Sequence, residues 1–507
     1  MTGPLSRRGL LTLAGVAGLA GLAGCGRPVD GPGTGSLLTS SLPLPERFRT
    51  PLPIPPVARP VLTNSAGDHI VLTQRVADAH LLPGVTTQIW GYDGIFPGPI
   101  IRARRGRPLT VTMRNQLPVP TSTHLHGGIV PADSDGFPLD LITPAGYSPA
   151  PPVQHGTGAR VHEVSRDYRY PMDQRAGLLW YHDHRMDFTA PQVWRGLAGM
   201  MIVSDDEEDA LPLPRGDREL PLLICDRAFE ADGSLRYPLR DMAMHHPGAD
   251  GDFLSGIFGD VILVNGAAWP RHEVANVRYR LRLVNGSNAR RYRLGLSPGT
   301  DLIQIGTDDG LLAAPVMHRE IVLSPGERCD VLVDFSAYPI GSEVTLTNTL
   351  GTGPAAEIMR FAVTRSATDD TRVPPKLADV PVLERSEAVE VRQFDFRFGA
   401  GRWQINNQPY DPAGSVAAPR LGTVELWRFT SDFHHPVHVH LGHFQVLSRN
   451  GRDPDPWEGG WKDTVDVRPY EAVEVLVKFA GYRGRYMLHC HNLEHEDMAM
   501  MANFDVV

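Results

Sequence analysis

The sequence predicts a mainly β protein made of three consecutive β-sandwich domains. First, 507 residues exceed one ordinary core, and at ~100–200 residues per domain they suggest three. Second, the 51 Gly and 45 Pro are scattered as turn punctuation between short apolar runs. Third, those runs alternate in polarity, as at 109–113, 279–284, 331–335 and 473–479. A period of two marks half-buried strands, and helix periodicity is weak throughout.

Two stretches interrupt this pattern. Residues 204–217 are acidic and then contain Pro, and residues 366–381 are polar with Pro374-Pro375. Both read as linkers, which divides the chain into domains at 57–205, 215–365 and 384–507. The N-terminus reads as an address. Ser6-Arg7-Arg8-Gly9-Leu10-Leu11 opens an apolar run over 10–24, the pattern of a twin-arginine export signal, and the run is too short for a spanning helix. Leu22-Ala23-Gly24-Cys25 has the form of a lipobox, so residues 1–25 are expected to be a signal and Cys25 a lipidated N-terminus. Residues 26–56, rich in Gly, Pro and Ser, are expected to form a flexible tether. The expected location is the cell envelope or the exterior, with a membrane anchor.

Composition excludes some functions. Formal charge is −9, from 49 Lys plus Arg against 58 Asp plus Glu, so nucleic acid is not an expected partner. Four cysteines, Cys25, Cys225, Cys329 and Cys490, are too few for a disulfide framework. Cys225 and Cys329 read as buried apolar residues of the second domain, with nothing to support their pairing. Asn285-Gly286-Ser287 fits a glycosylation pattern but is more simply a turn.

Histidine is the unusual residue, at 20 copies. Half of them fall in four motifs: Thr123-His124-Leu125-His126-Gly127, Trp180-Tyr181-His182-Asp183-His184, His435-Pro436-Val437-His438-Val439-His440, and His489-Cys490-His491 continued by His495 and Met500. On a strand, side chains two apart share a face and neighbours oppose each other. His124/His126, His182/His184, His438/His440 and His489/His491 are therefore same-face pairs that can converge on a small metal cluster between two domains. Cys490 lies on the opposite face from His489 and His491. By the same parity His435 lies opposite His438 and His440, so His435 and Cys490, with His495 and Met500, form a second site. Two His, a Cys thiolate and a weak axial Met make a blue-copper electron-transfer site. Structural zinc would want four ligands in a closed shell, and these motifs exceed that.

As an ordered set these motifs resemble the multicopper oxidases over all three domains. Thr123 to Pro138, Gln174 to His184 and Tyr486 to Met501 look most like spore-coat-type bacterial laccases and bilirubin oxidases. The resemblance implies cupredoxin-like Greek-key domains and four Cu ions. It assigns His435, Cys490, His495 and Met500 to type 1 copper, and His124 and His438 to type 2. His126, His182, His184, His440, His489 and His491 go to the paired type 3 coppers. It implies electron entry at an exposed edge of His495 and O2 reduction at the cluster, with Asp135 and Glu496 as proton donors. Asp183 is expected either to orient its motif through hydrogen bonds or to face solvent, and His434 and His443 fall at non-ligand positions, beside the ligands or at the surface.

The expected reductants are small phenols, aromatic amines or tetrapyrroles, with O2 as acceptor, acting on a monomer. A Cu(I) or Mn(II) oxidase is the alternative. It would want a Met- or carboxylate-lined entry, and only Met242-Ala243-Met244-His245-His246 offers a local cluster, read as a loop with a minor copper contact. A non-enzymatic scaffold of this fold would lack ligands, and all twelve positions are filled here.

Overall fold

The period-two segments fold as strands that pair into three successive couples of sheets in the computed structural model, which describes residues 31–147, 160–241, 244 and 246–507. The expectation of a mainly β protein is met. Along Leu109–Asn115, Leu109, Val111 and Met113 are buried while Arg114 faces out, so one face of the strand supplies core. The N-terminal signal and Cys25 lie outside the described residues, as do Met242, Ala243 and His245.

In the first couple a five-stranded sheet faces a four-stranded one ordered Gly98–Arg104, Ala198–Ser204, Gly177–Asp183 and Thr123–His126. The third couple repeats this plan. Its four-stranded sheet runs Thr464–Val467, His435–Val439, Gly484–Cys490 and Met501–Val506. In both, the two His-bearing strands are antiparallel neighbours. His182 pairs with His124 and Trp180 with His126; His438 pairs with His489 and Val437 with Cys490. The second couple, with an eight-stranded and a five-stranded sheet, lies between them in sequence and buries Leu281, Leu283, Val331 and Phe361 in its core.

Residues 31–56 are not a free tether. Ser36–Leu38 pairs in parallel with Ile257–Gly259, and Ser40 bonds Asp260 through both its N–H and its hydroxyl. Leu38 and Leu52 are buried, and the Arg360 guanidinium lies over the Phe48 ring. Composition suggested a tether; widely spaced apolar residues dock it instead, Leu52 joining the core of the second couple of sheets and Leu38 packing with Trp194, Ala228 and Ile257. The linker at 204–217 is also held. Asp205 caps a short helix, Asp206–Asp209, and Glu208 inside it is buried against Arg280 and Arg282.

Candidate metal centre

His124 and His126 lie on one strand and His182 on its neighbour; His184, His440 and His491 stand just past strand ends. Each same-face pair does bring its rings together, with centroids 5.8 Å apart for His124/His126, 5.8 Å for His182/His184, 4.8 Å for His438/His440 and 5.6 Å for His489/His491. The pairs then meet across the junction of the first and third couples. Their nitrogens group as His126, His182 and His491, as His184, His440 and His489, and as the facing pair His124 and His438.

Hydrogen bonds decide which nitrogen each ring offers. The Nδ1–H of His124 donates to Asp135 O (2.6 Å), that of His182 to Asp183 O (2.8 Å), that of His438 to Asp463 O (2.9 Å) and that of His489 to Cys490 O (3.2 Å). A carbonyl only accepts, so these rings keep the Nε2 lone pair for the interior. The Nε2 atoms lie close together: His124 to His438 at 3.4 Å, His184 to His489 at 3.4 Å, His489 to His440 at 3.2 Å. His126 is inverted. Its Nε2 engages Asp463 Oδ1 (2.9 Å), and its Nδ1 has no partner among the described residues.

Burial, which penalises charge, holds His124, His126, His438, His440 and His491 below the ordinary imidazole range, His182 at about 3 and His184 at about 4. Neutral imidazole is the form that binds metal. His182 Nε2 and both nitrogens of His491 are buried without partners among the described residues. Leaving such groups unpaired costs about 1–3 kcal/mol each, and facing lone pairs repel unless a cation lies between them. The donors therefore fit metal ions of imidazole preference.

The second site is separate and sulfur-based. His435 Nδ1 lies 3.4 Å from Cys490 Sγ, His495 Nδ1 lies 3.5 Å from the same sulfur, and the two nitrogens are 3.2 Å apart. Met500 is buried beside them, its N–H bonded to His495 O and its carbonyl to the Cys490 N–H. The Asn492 N–H donates to the sulfur (3.4 Å). Two imidazoles with one thiolate suit copper, and the backbone bonds hold Met500 next to them.

Matches to known proteins agree with this geometry. Residues 377–507 and 75–208 each match a family model described as multicopper oxidase. A laccase of Bacillus subtilis (strain 168) is 35% identical across 91% of this chain and 98% of its own length. The chain belongs to the multicopper oxidase family. A bilirubin oxidase of Albifimbria verrucaria is 33% identical over 94% of this chain and 85% of its own. A laccase structure from Pediococcus acidilactici superposes with TM-score 0.81 at 31% identity, covering 93% of this chain and 96% of the other. The clusters are those expected of type 1 and trinuclear copper sites, and this family binds four Cu.

Within this multicopper oxidase the carboxylates named from sequence sit against the cluster. Asp135 Oδ2 is 2.7 Å from His440 Nδ1 while its carbonyl holds His124. Burial, with the nearby charge of Asp140, pushes the Asp135 carboxyl well up. Glu496 bridges His184 Nδ1 (3.4 Å) and His489 Nδ1 (3.2 Å). Asp183 accepts from Ser122 N, Arg185 N and Gln192 Nε2, which fixes its loop as expected. His434 touches Asp466, and His443 bonds Gly127 O and Asp309. Cys225 and Cys329 are buried free thiols. Asn285 is buried at the end of the strand Arg278–Asn285, its amide donating to Arg290 O and Leu323 O.

One expectation is corrected. His495 presents no exposed edge: it is 0% accessible, its Nε2–H donates to Ser255 O (3.1 Å), and the Trp403 ring stacks on it at 3.7 Å. Segments distant in sequence cover it, which no spacing within its own motif could signal. Sequence reasoning also missed Trp403, Asp463 and Arg328. Lone residues inside ordinary strand patterns carry no signal of their own. Met244, from the Met/His cluster, is buried with its sulfur near Arg195 Nη1 (3.5 Å), and His246 N–H bonds Asp241.

Proposed function

We propose that this multicopper oxidase takes single electrons from small phenolic, aromatic-amine or tetrapyrrole reductants and passes four of them to O2, forming two waters. The observation that carries the reading is the placement of Cys490. Its sulfur stands among His435 and His495, while its chain neighbours His489 and His491 belong to the two different imidazole trios. His435, Cys490, His495 and Met500 would hold type 1 copper, His124 and His438 type 2, and the trios His126/His182/His491 and His184/His440/His489 the type 3 pair. Bound copper would supply the one-electron chemistry. The chain contributes a short covalent path from thiolate to imidazoles, exclusion of water by burial, a carboxyl at Asp135 placed to hand protons to the cluster, and at Glu496 a carboxylate, held low against the effect of burial by His184 and His489, placed to relay them. The substrate class rests on likeness to laccases and a bilirubin oxidase.

A metal-ion oxidase is the second reading, favoured by the burial of His495, which a bulky ring does not touch directly. An O2-uptake screen with bilirubin, a methoxyphenol, Cu(I) and Mn(II) separates them. Uptake with the organic donors is expected; uptake with a metal ion alone would replace the first reading by the second. We also propose twin-arginine export with lipidation at Cys25 and a monomeric state, from the N-terminal motifs and the three-domain length. Mass spectrometry of the mature N-terminus and light scattering check these.

A further inference from the structure

Among the described residues the second couple of sheets gives no imidazole to the trinuclear site, yet it reaches that site through one turn and one side chain. The turn runs over 324–328. A Cβ built on Gly326 would stand 3.0 Å from His126 Cε1 and 3.0 Å from His491 Cδ2, so its bare backbone forms the wall behind both rings. The side chain is Arg328, buried and with every guanidinium nitrogen engaged. Nε donates to Leu178 O of the first couple (3.0 Å), and Nη2 donates to Asp308 O (3.0 Å). Nη1 and Nη2 fork onto Asp463 Oδ1 (2.7 Å) and Oδ2 (2.5 Å) of the third couple. Three sets of sheets thus meet on one guanidinium.

Asp463 passes that constraint on. Oδ1 also accepts from His126 Nε2 (2.9 Å) and from the Thr464 hydroxyl (2.8 Å), and its carbonyl accepts from His438 Nδ1. A carboxylate held at both oxygens by Arg328 cannot turn away, so His126 keeps its proton on Nε2 and offers Nδ1 to His182 and His491. The rings of His124, His182, His438 and His489 do the reverse. We propose that Arg328 and Asp463 are positioning residues that select the nitrogen His126 gives to the metal cluster, so that the second couple of sheets sets the geometry of a site built from the other two. This rests on the oxidase reading above.

Asp463→Asn keeps the volume and removes the charge that orients His126. Copper affinity at the coupled pair is expected to fall ~10–100-fold, with loss of the pair's near-ultraviolet absorption and retention of the blue thiolate band. In the copper-free protein, selective 15N-histidine NMR is expected to show His126 protonated at Nε2 in the wild type and mixed tautomers in the variant. A purely structural role would lower the melting temperature while leaving copper count and tautomer unchanged. Arg328→Lys keeps the charge without the fork and should show a smaller loss of the same kind; it decides the matter if Asp463→Asn does not fold. Wild-type His126 protonated at Nδ1, or full copper and an unchanged tautomer in both variants, overturns the proposal. A wild type without the coupled-pair absorption would defeat the oxidase reading, and the tautomer result would still decide the positioning claim.

Discussion

His124 Nε2 and His438 Nε2 lie 3.4 Å apart, although 314 residues separate them in the chain. One imidazole comes from the first couple of sheets and one from the third, and neither has another use for that nitrogen. A metal ion bound by both ties the two ends of the fold together. Copper loading should therefore stabilise the protein by RT ln(1 + [L]/Kd), about 4 kcal/mol at a free concentration ~1,000 times Kd. Calorimetry of copper-free and loaded protein should show the transition move upward; equal melting temperatures would contradict the site.

Cys490→Ser should abolish the blue absorption and cost one copper of four. The hydroxyl is a poor replacement for a thiolate among His435 and His495, whereas the trios keep all their imidazoles. Elemental analysis with visible spectroscopy reads both. A blue band surviving in this variant would move the thiolate assignment elsewhere.

Glu496→Gln should lower O2 turnover ~10²–10⁴-fold with copper content near wild type. The amide still spans His184 and His489 but can neither accept a proton nor pass one on. Asp135→Asn should slow turnover too, with some copper lost, because its side chain also holds His440. Steady-state O2 uptake beside metal analysis distinguishes a proton-transfer defect from a binding defect.

Trp403→Ala should destabilise the fold by about 3–5 kcal/mol and open the face of His495 that the indole covers. The KM for bulky phenols should fall, since a ring could then approach the imidazole. Denaturant melts and KM measured across phenols of increasing size test both parts; an unchanged KM series would remove Trp403 from the entry route.

Acid stability should depend on Glu208. Burial alone would raise its carboxyl, but Arg282 and Arg280 outweigh burial and bring it down to about 2 from an ordinary 4.5. A depressed carboxyl stabilises the fold above its unfolded value and loses that effect as pH falls from about 4.5 through about 2. The contribution at neutral pH is about 3 kcal/mol. Glu208→Gln should flatten the pH dependence in that window, as read by urea midpoints between about pH 5 and about pH 2.

Much of this protein is legible in its sequence. Strand parity separates His489 and His491 from Cys490 and divides four motifs into two sites, because the direction of successive side chains along a strand is a matter of local covalent geometry. The mainly β fold and the same-face pairing of the histidines within each motif follow from such local patterns. Tertiary structure alone decided the rest. It grouped the imidazoles into trios, inverted His126 through Asp463 and Arg328, buried His495 beneath Trp403, and docked residues 31–56 that composition read as loose. Each of these depends on contacts between residues far apart in the chain. Their energy comes from burial and from hydrogen bonds that exist only once the three couples of sheets have closed on one another.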